Sequence, residues 1–111
     1  MEQITWSDFE KVVLVAGTIV EAAEFPEAIK PAYRLTIDLG SYGLKQSSAQ
    51  ITRRYSPDLL IGKQVICVVN FPPKKIAGFV SEVLVTGLYD DEGAVVLAIP
   101  DSKISNGSRL C

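Results

Sequence analysis

The feature that most constrains this chain is a series of short runs rich in β-branched residues, separated by turn-forming residues. The clearest runs lie at 12–20, 33–39, 64–70, 82–88 and 94–99. Val, Ile and Thr favour strands, because a side chain branched at Cβ is restricted in a helix and packs well on a pleated surface. Short strands at this spacing predict an all-β domain.

Two of the strands carry further detail. Residues 33–39, YRLTIDL, alternate between apolar and polar side chains, which indicates a strand with one buried face. Gly17 interrupts the first run and predicts a bulge or bend there. Between these strands, 24–31 carries two prolines and is predicted to be a loop. After a turn at 41–43, the segment 44–51 is a weaker and more polar strand candidate.

Two short helices are predicted. Ser7 or Asp8 can cap the first, which would extend through Lys11 and pack the aromatic side chains Trp6 and Phe9 on its inner face. The second occupies 56–62, where a serine precedes a proline and a glycine ends the segment.

The order of these elements predicts the architecture. Five or more short strands with a small helix after the third indicate a five-stranded Greek-key barrel of the oligonucleotide/oligosaccharide-binding (OB) fold. An SH3-like barrel and a small sandwich are the alternatives. At 111 residues the chain is long enough for one modest core, so residues 1–111 are predicted to form a single domain.

The apolar content of 48% and mean hydropathy of +0.24 exceed what one small core needs, which favours a homo-oligomer. No apolar stretch approaches the roughly 20 residues that span a bilayer, and the first ten residues lack the pattern of a signal peptide. We therefore expect a cytoplasmic protein without membrane insertion. Cys67 is expected to be a buried apolar residue and Cys111 ends the sequence, so neither suggests a metal ligand.

The residue types argue against an enzyme. The sequence has no histidine, which excludes histidine-based dyads, triads and metal sites. Ser47 and Ser48 have no partner suited to activating a nucleophile, although their hydroxyls and the Gln50 amide suit ligand binding. The acids at 90–92 lack the spacing of a calcium loop and are expected at a solvated hairpin tip. No catalytic residue, metal or cofactor is predicted.

The charge is unevenly distributed. The net charge is −2, yet residues 41–81 hold six basic residues against one acid, a balance of +5, and the rest of the chain carries −7. A polyanion or an acidic partner would therefore be met by the middle of the chain.

Residues 70–75, NFPPKK, combine an aromatic, two prolines and two lysines. Pro72 and Pro73 have no amide hydrogen to donate, so this segment is expected to stay out of a central ladder. Phe71 can stack against a ligand while Lys74 and Lys75 hold phosphates, and the same surface accepts an extended polypeptide with apolar side chains.

The whole sequence resembles the CsaA proteins, a bacterial family of stand-alone proteins related to the tRNA-binding domains of methionyl- and phenylalanyl-tRNA synthetases. The resemblance rests mainly on SSAQITRRYSPDLLIGKQVICVVNFPPKKIAGFVSEVLVTG at 47–87. It implies an OB-fold homodimer whose N-terminal helix and C-terminal segment form part of the interface. The family is described as an export-related chaperone that binds unfolded precursors, and as a tRNA-binding-type domain.

The resemblance and the basic segment together predict the residues that bind peptide or tRNA: Lys45, Ser47, Ser48, Gln50, Arg53, Asn70, Phe71, Lys74, Lys75 and Ser81. One departure concerns the first strand. Val13 and Val15 replace an aspartate and an arginine that the family usually has there. If that pair is structural in relatives, its replacement by apolar residues can be neutral or stabilising. If the arginine contacts RNA in relatives, the contact is missing here.

Two functions remain open at this level. The first is a non-catalytic chaperone that binds unfolded, export-bound polypeptides and works with the export machinery. The second is a protein that binds tRNA or structured RNA. Phosphate contacts by Lys45, Arg53, Arg54, Lys74 and Lys75 would each add about −0.9 to the salt slope on a duplex, between about −4 and −5 in all.

Overall fold

The computed structural model describes residues 1–111 and shows a nearly closed antiparallel barrel, in agreement with the predicted OB-like fold. Five strands pair in the order β3-β2-β1-β4-β7, and two separate two-stranded sheets are formed by β5–β6 and β8–β9. The helices are α1 (Trp6–Glu10), a 3-10 turn (Gly40–Tyr42) and α2 (Pro57–Leu60). The strands are β1 (Leu14–Glu24), β2 (Tyr33–Asp38), β3 (Leu44–Ala49), β4 (Gln64–Val68), β5 (Lys74–Ile76), β6 (Phe79–Ser81), β7 (Leu84–Val85), β8 (Gly87–Tyr89) and β9 (Val95–Leu97).

The core lies inside the barrel and follows the alternation seen in the sequence. Leu35, Ile37 and Leu39 are almost fully buried, as predicted for one face of β2 and its extension. Cys67 is also fully buried, and its apolar surroundings raise the pKa of its thiol to about 12. Val15 joins the same core, so the apolar residue that replaces the family's arginine is buried in the barrel.

The irregularity in β1 is displaced from its predicted position. Gly17 pairs regularly with Val65, and the register with β2 shifts between Ile19 and Glu21. Gly17 is needed for a different reason, because a Cβ atom there would lie 2.5 Å from Leu39 Cδ2. The glycine permits close packing across the barrel.

The prediction for α1 is wrong in its cap and its packing. Thr5 is the N-cap: its hydroxyl accepts from the Asp8 amide, and the Asp8 carboxylate accepts from the Thr5 amide, each at 3.1 Å. No residue of α1 is buried within this chain, and Trp6 is 67% exposed. The aromatic rings of Trp6 and Phe9 contact each other instead, with their centroids 5.4 Å apart.

The segment after β4 also differs from the prediction. Pro72 and Pro73 lie outside the barrel sheet, but Lys74–Ile76 pairs with Phe79–Ser81 as a hairpin that the sequence reading missed. Ala77 and Gly78 both have positive φ, 47° and 83°, as a two-residue type I′ turn requires. The single strand predicted at 82–88 is divided into β7 and β8.

No helix in the structure is long and apolar enough to cross a membrane.

Candidate functional site

The register between β2 and β3 determines which polar side chains face outward. Leu35 lies opposite Ser47, and Ile37 lies opposite Lys45. Residues paired in this way point to the same face of a sheet, so Ser47 and Lys45 share the inner face with the core. Ser47 is only 1% exposed and Lys45 is half-buried near the barrel end. Of the predicted site residues on β3, Ser48 lies on the outer face.

The β5–β6 hairpin and the residue after it close the barrel beside β3. The Ser48 amide donates to Ser81 Oγ at 3.0 Å, and the Gln46 amide donates to a Glu82 carboxylate oxygen at 2.9 Å. In return, the Glu82 amide donates to the Gln46 carbonyl at 2.8 Å. Side chains thus replace part of a backbone ladder at this edge, and the Ser81 hydroxyl is committed to it.

A cleft of about 250 Å³ lies between the outer face of β2 and β3 and the hairpin. Its lining includes Arg34, Thr36, Gln46 and Phe79, and we call it the β2–β3 cleft. Phe79 packs edge-on against Phe25, with centroids 5.4 Å apart, and this contact joins the hairpin to the β1–β2 loop. The sequence reading missed Arg34, Gln46 and Phe79, although the alternation of β2 already placed Arg34 opposite the apolar face.

The lysines of the hairpin are available to a ligand. Lys74 and Lys75 are exposed, and neither belongs to a salt bridge. Lys74 pairs with Ser81 across the hairpin, so Ser48, Ser81 and Lys74 are brought together. Arg34 is also free of salt bridges; its guanidinium lies 5.5 Å from the Phe25 ring and donates from Nε to the Glu24 carbonyl.

A second groove runs along the seam where the barrel is incompletely closed, between the end of β3 and β7–β8. It has a volume of about 410 Å³, and we call it the seam groove. Ser48 and Gln50 contribute polar groups, whereas most of its lining is apolar. Leu84, Leu88 and Tyr89 line it, and these residues are 49%, 64% and 80% exposed. The apolar part of this surface was not predicted, because Leu84 and Leu88 were assigned to a single strand at 82–88 and Tyr89 to no element.

Two neighbouring predicted site residues, Asn70 and Phe71, have different surroundings in the structure. Phe71 is 54% exposed, as a ligand-stacking residue must be. Asn70 instead holds the N-terminal segment: its Oδ1 accepts from the Val13 amide at 3.0 Å, and its Nδ2 donates to the Lys11 carbonyl at 2.7 Å. Both polar atoms of Asn70 are therefore occupied by the chain itself.

The arginines of the basic segment contact the hairpin that joins β8 to β9, far along the chain. Arg53 Nη1 donates to the Glu92 carbonyl at 2.9 Å, and Arg54 Nη2 lies 2.7 Å from Asp90 Oδ2. The hydrogen bond from Arg54 holds the pKa of Asp90 below its ordinary value. No group of three or more Cys, Asp and Glu side chains is arranged to hold a metal ion.

Comparisons with known proteins fit this geometry. Residues 14–109 match the family described as "Putative tRNA binding domain". The methionine–tRNA ligase of Methanocaldococcus jannaschii is 39% identical over 110 residues, which cover 99% of this chain but 17% of the ligase. The chain thus spans about a sixth of the length of such curated relatives.

Two solved structures are similar over the full length of both chains. The chaperone CsaA of Bacillus anthracis is 51% identical, with a TM-score of 0.93 over 99% of this chain and 100% of that one. The CsaA chaperone protein of Picrophilus torridus is 50% identical, with a TM-score of 0.91 over 98% of this chain and 100% of that one.

Proposed function

The chain belongs to the tRNA-binding domain family and, within it, to the CsaA proteins, and from this premise we propose that it is a non-catalytic chaperone. In this proposal it binds unfolded, export-bound polypeptides in the cytoplasm as a homodimer and passes them to the export machinery. The two CsaA proteins of similar structure are chaperones, and this chain covers the full length of each.

The observation that carries the proposal is the exposed apolar lining of the seam groove. Leu84, Leu88 and Tyr89 present apolar surface to solvent beside the hydroxyl of Ser48 and the amide of Gln50. Apolar surface that stays exposed in a folded protein commonly marks an interaction site. An extended polypeptide has alternating side chains to fill such a groove and backbone groups to bond with Ser48 and Gln50.

The face around Phe71 is a second candidate surface, and it carries positive charge. Phe71, Lys74 and Lys75 are all exposed on a segment that two prolines stiffen. A stiff segment loses little conformational entropy when a ligand docks on it. The lysines can hold acidic side chains or carbonyl groups of a client while the ring covers an apolar residue.

The proposed homodimer would cover apolar surface at the two ends of the chain. Helix α1 exposes Trp6 and has no buried residue. A mostly apolar groove of about 340 Å³ lies nearby in the fold, lined by residues that include Val15, Ile66, Ile104 and Leu110. A second copy packed on these surfaces would bury them and present two client sites, which raises avidity for a long polypeptide.

The test is a pair of variants that each remove one exposed aromatic side chain. Phe71→Ala should weaken binding of a labelled unfolded precursor peptide, measured by fluorescence anisotropy, and should reduce suppression of client aggregation. Tyr42→Ala is the matched control, because Tyr42 is 41% exposed on the 3-10 turn and lines none of the grooves described above. Equal activity of Phe71→Ala and the unaltered protein in both assays would refute the Phe71 site.

RNA binding is the second candidate, and the family description and the synthetase relatives favour it. Of the five residues expected to contact phosphate, three lie outside salt bridges in the structure: Lys45, Lys74 and Lys75. Three phosphate contacts on a duplex would give a salt slope of about −2.7, shallower than the five contacts expected from the sequence. A titration of tRNA at several salt concentrations distinguishes the candidates, because a steep slope that peptide cannot compete away would favour RNA.

A further inference from the structure

Acidic residues of the hairpin between β8 and β9 contact the two adjacent arginines of the basic segment. Asp90, Asp91 and Glu92 occupy the turn, and the sequence analysis left them as a solvated tip. Together with Arg53 and Arg54 they line one polar depression. We refer to residues 90–93 as the acidic hairpin. Its contacts remain unexplained by the proposed function.

The contact with Arg54 is the stronger of the two. Arg54 Nε donates to Asp90 Oδ2 at 2.8 Å, and Nη2 lies 2.7 Å from the same oxygen. The Asp90 side chain is only 20% exposed. Its other oxygen accepts from the amides of Glu92 and Ala94, each at 2.9 Å. The turn therefore fixes the carboxylate in place before it meets the arginine.

The contact with Arg53 is weaker. Its guanidinium donates to the Glu92 carbonyl at 2.9 Å, but the nearest Glu92 carboxylate oxygen is 4.0 Å away and 86% of that side chain is exposed. Both guanidinium groups nevertheless lie on the hairpin. A phosphate that approached Arg54 would compete with a fixed carboxylate for the Nε and Nη2 edge of the guanidinium, and it would meet the charges of Asp91 and Glu92.

We infer that the acidic hairpin is a specificity-determining element that withholds Arg54, and to a lesser extent Arg53, from polyanions. Discrimination between ligands commonly depends on a repulsive element as well as an attractive one. Here the repulsive element removes the only adjacent pair of arginines in the chain from the surface that nucleic acid could use. The inference builds on the proposed function, because it states how a member of a tRNA-binding family would favour polypeptide ligands.

The central test is Asp90→Asn. Asparagine retains an oxygen that can accept from the Glu92 and Ala94 amides, while its NH2 group replaces the oxygen that binds Arg54. Asp91→Asn is the matched control: it removes one negative charge from the same turn, and Asp91 forms no salt bridge in the structure. Both variants have the same net charge.

Binding of tRNA and of poly(U) is measured at salt concentrations from about 50 to about 200 mM. Asp90→Asn should steepen the tRNA slope by about 0.9 relative to Asp91→Asn, equivalent to one further phosphate contact. Over that range, the affinity of Asp90→Asn should fall about 3.5-fold more than that of the control. If unaltered protein binds no tRNA, Asp90→Asn should acquire binding at low salt. Equal slopes, or no binding by either variant, would overturn the inference.

Arg54→Gln in the Asp90→Asn background should abolish the gain in tRNA binding, because that gain requires the released guanidinium of Arg54. A gain that survives Arg54→Gln would also contradict it. Thermal melting of both single variants establishes that the hairpin remains folded. Peptide binding is measured in parallel. If the unaltered protein does not bind peptide, the proposed function is refuted. If Asp90→Asn and Asp91→Asn have equal salt slopes for tRNA, only the role of the hairpin is refuted.

Discussion

Asn70 illustrates how the structure changes the meaning of a residue that the sequence placed in the binding site. Its side chain joins the segment before β1 to the end of β4 through bonds to Val13 and Lys11. The Arg109 guanidinium, which donates to the Glu10 carbonyl at 2.8 Å, is another side-chain contact that holds this segment. Asn70→Ala removes both amide contacts at once and should loosen α1 from the barrel.

The magnitude follows from two hydrogen bonds. Each contributes about 0.5–1.5 kcal/mol net, and both lie where water can replace the lost partner. We therefore expect Asn70→Ala to lower the free energy of unfolding by about 1–2 kcal/mol. With a urea dependence of about 2 kcal/mol per molar, the middle of the usual range, the midpoint should fall by about 0.5–1 M. The Val13 amide should also exchange with solvent deuterium faster.

Gln50→Ala provides the comparison, because Gln50 is another predicted site residue with an amide. Gln50 is exposed in the seam groove and forms no side-chain hydrogen bond in the structure. Its removal should leave the urea midpoint unchanged and should weaken peptide binding, which anisotropy measures. If Asn70→Ala kept the urea midpoint of the unaltered protein but lost peptide binding, the structural role argued for Asn70 would be refuted. Unchanged hydrogen exchange of the Val13 amide would also refute it.

Three other outcomes are expected. Gly17→Ala should destabilise the protein by about 1–3 kcal/mol in urea denaturation, because the added methyl overpacks the core beside Leu39; an unchanged midpoint would contradict this. In native protein Cys67, whose thiol is buried with a pKa of about 12, should not react with a thiol reagent, whereas in denaturant both cysteines should react. The lowered pKa of Asp90 means that its stabilising contribution is present above the ordinary value of 3.8 and is lost as pH falls through the lower folded-state value. Acid unfolding of Asp90→Asn should accordingly depend less on pH than that of the unaltered protein, and an equal dependence would contradict the ion pair.

The candidate binding surface shows how far prediction from residue types alone can lead. Phe71, Lys74 and Lys75 were predicted as site residues because prolines beside an aromatic and paired cations form a local pattern, and the structure exposes all three. Arg34, Gln46 and Phe79 have no such pattern. They meet only because β2 and β3 align in one register and the β5–β6 hairpin folds over them.

The same reasoning explains the displaced site residues. Ser47 and Ser48 are the same residue type, but successive side chains of a strand point to opposite faces of the sheet. The register of β3 against β2 therefore decides which of the two serines is buried. The arginines were counted as free cations because their partners lie 36 and 39 positions away along the chain. Charge balance over a segment includes no information on such contacts.

Strand propensity, alternation and motif spacing are local properties of the chain, so the amino-acid sequence was enough to predict the all-β class, the buried face of β2 and the family resemblance. Tertiary structure alone decided which serine faces outward, why Gly17 carries no side chain, and which cations remain unpaired. Each of these depends on contacts between residues far apart in sequence, and such contacts exist only after the barrel has closed.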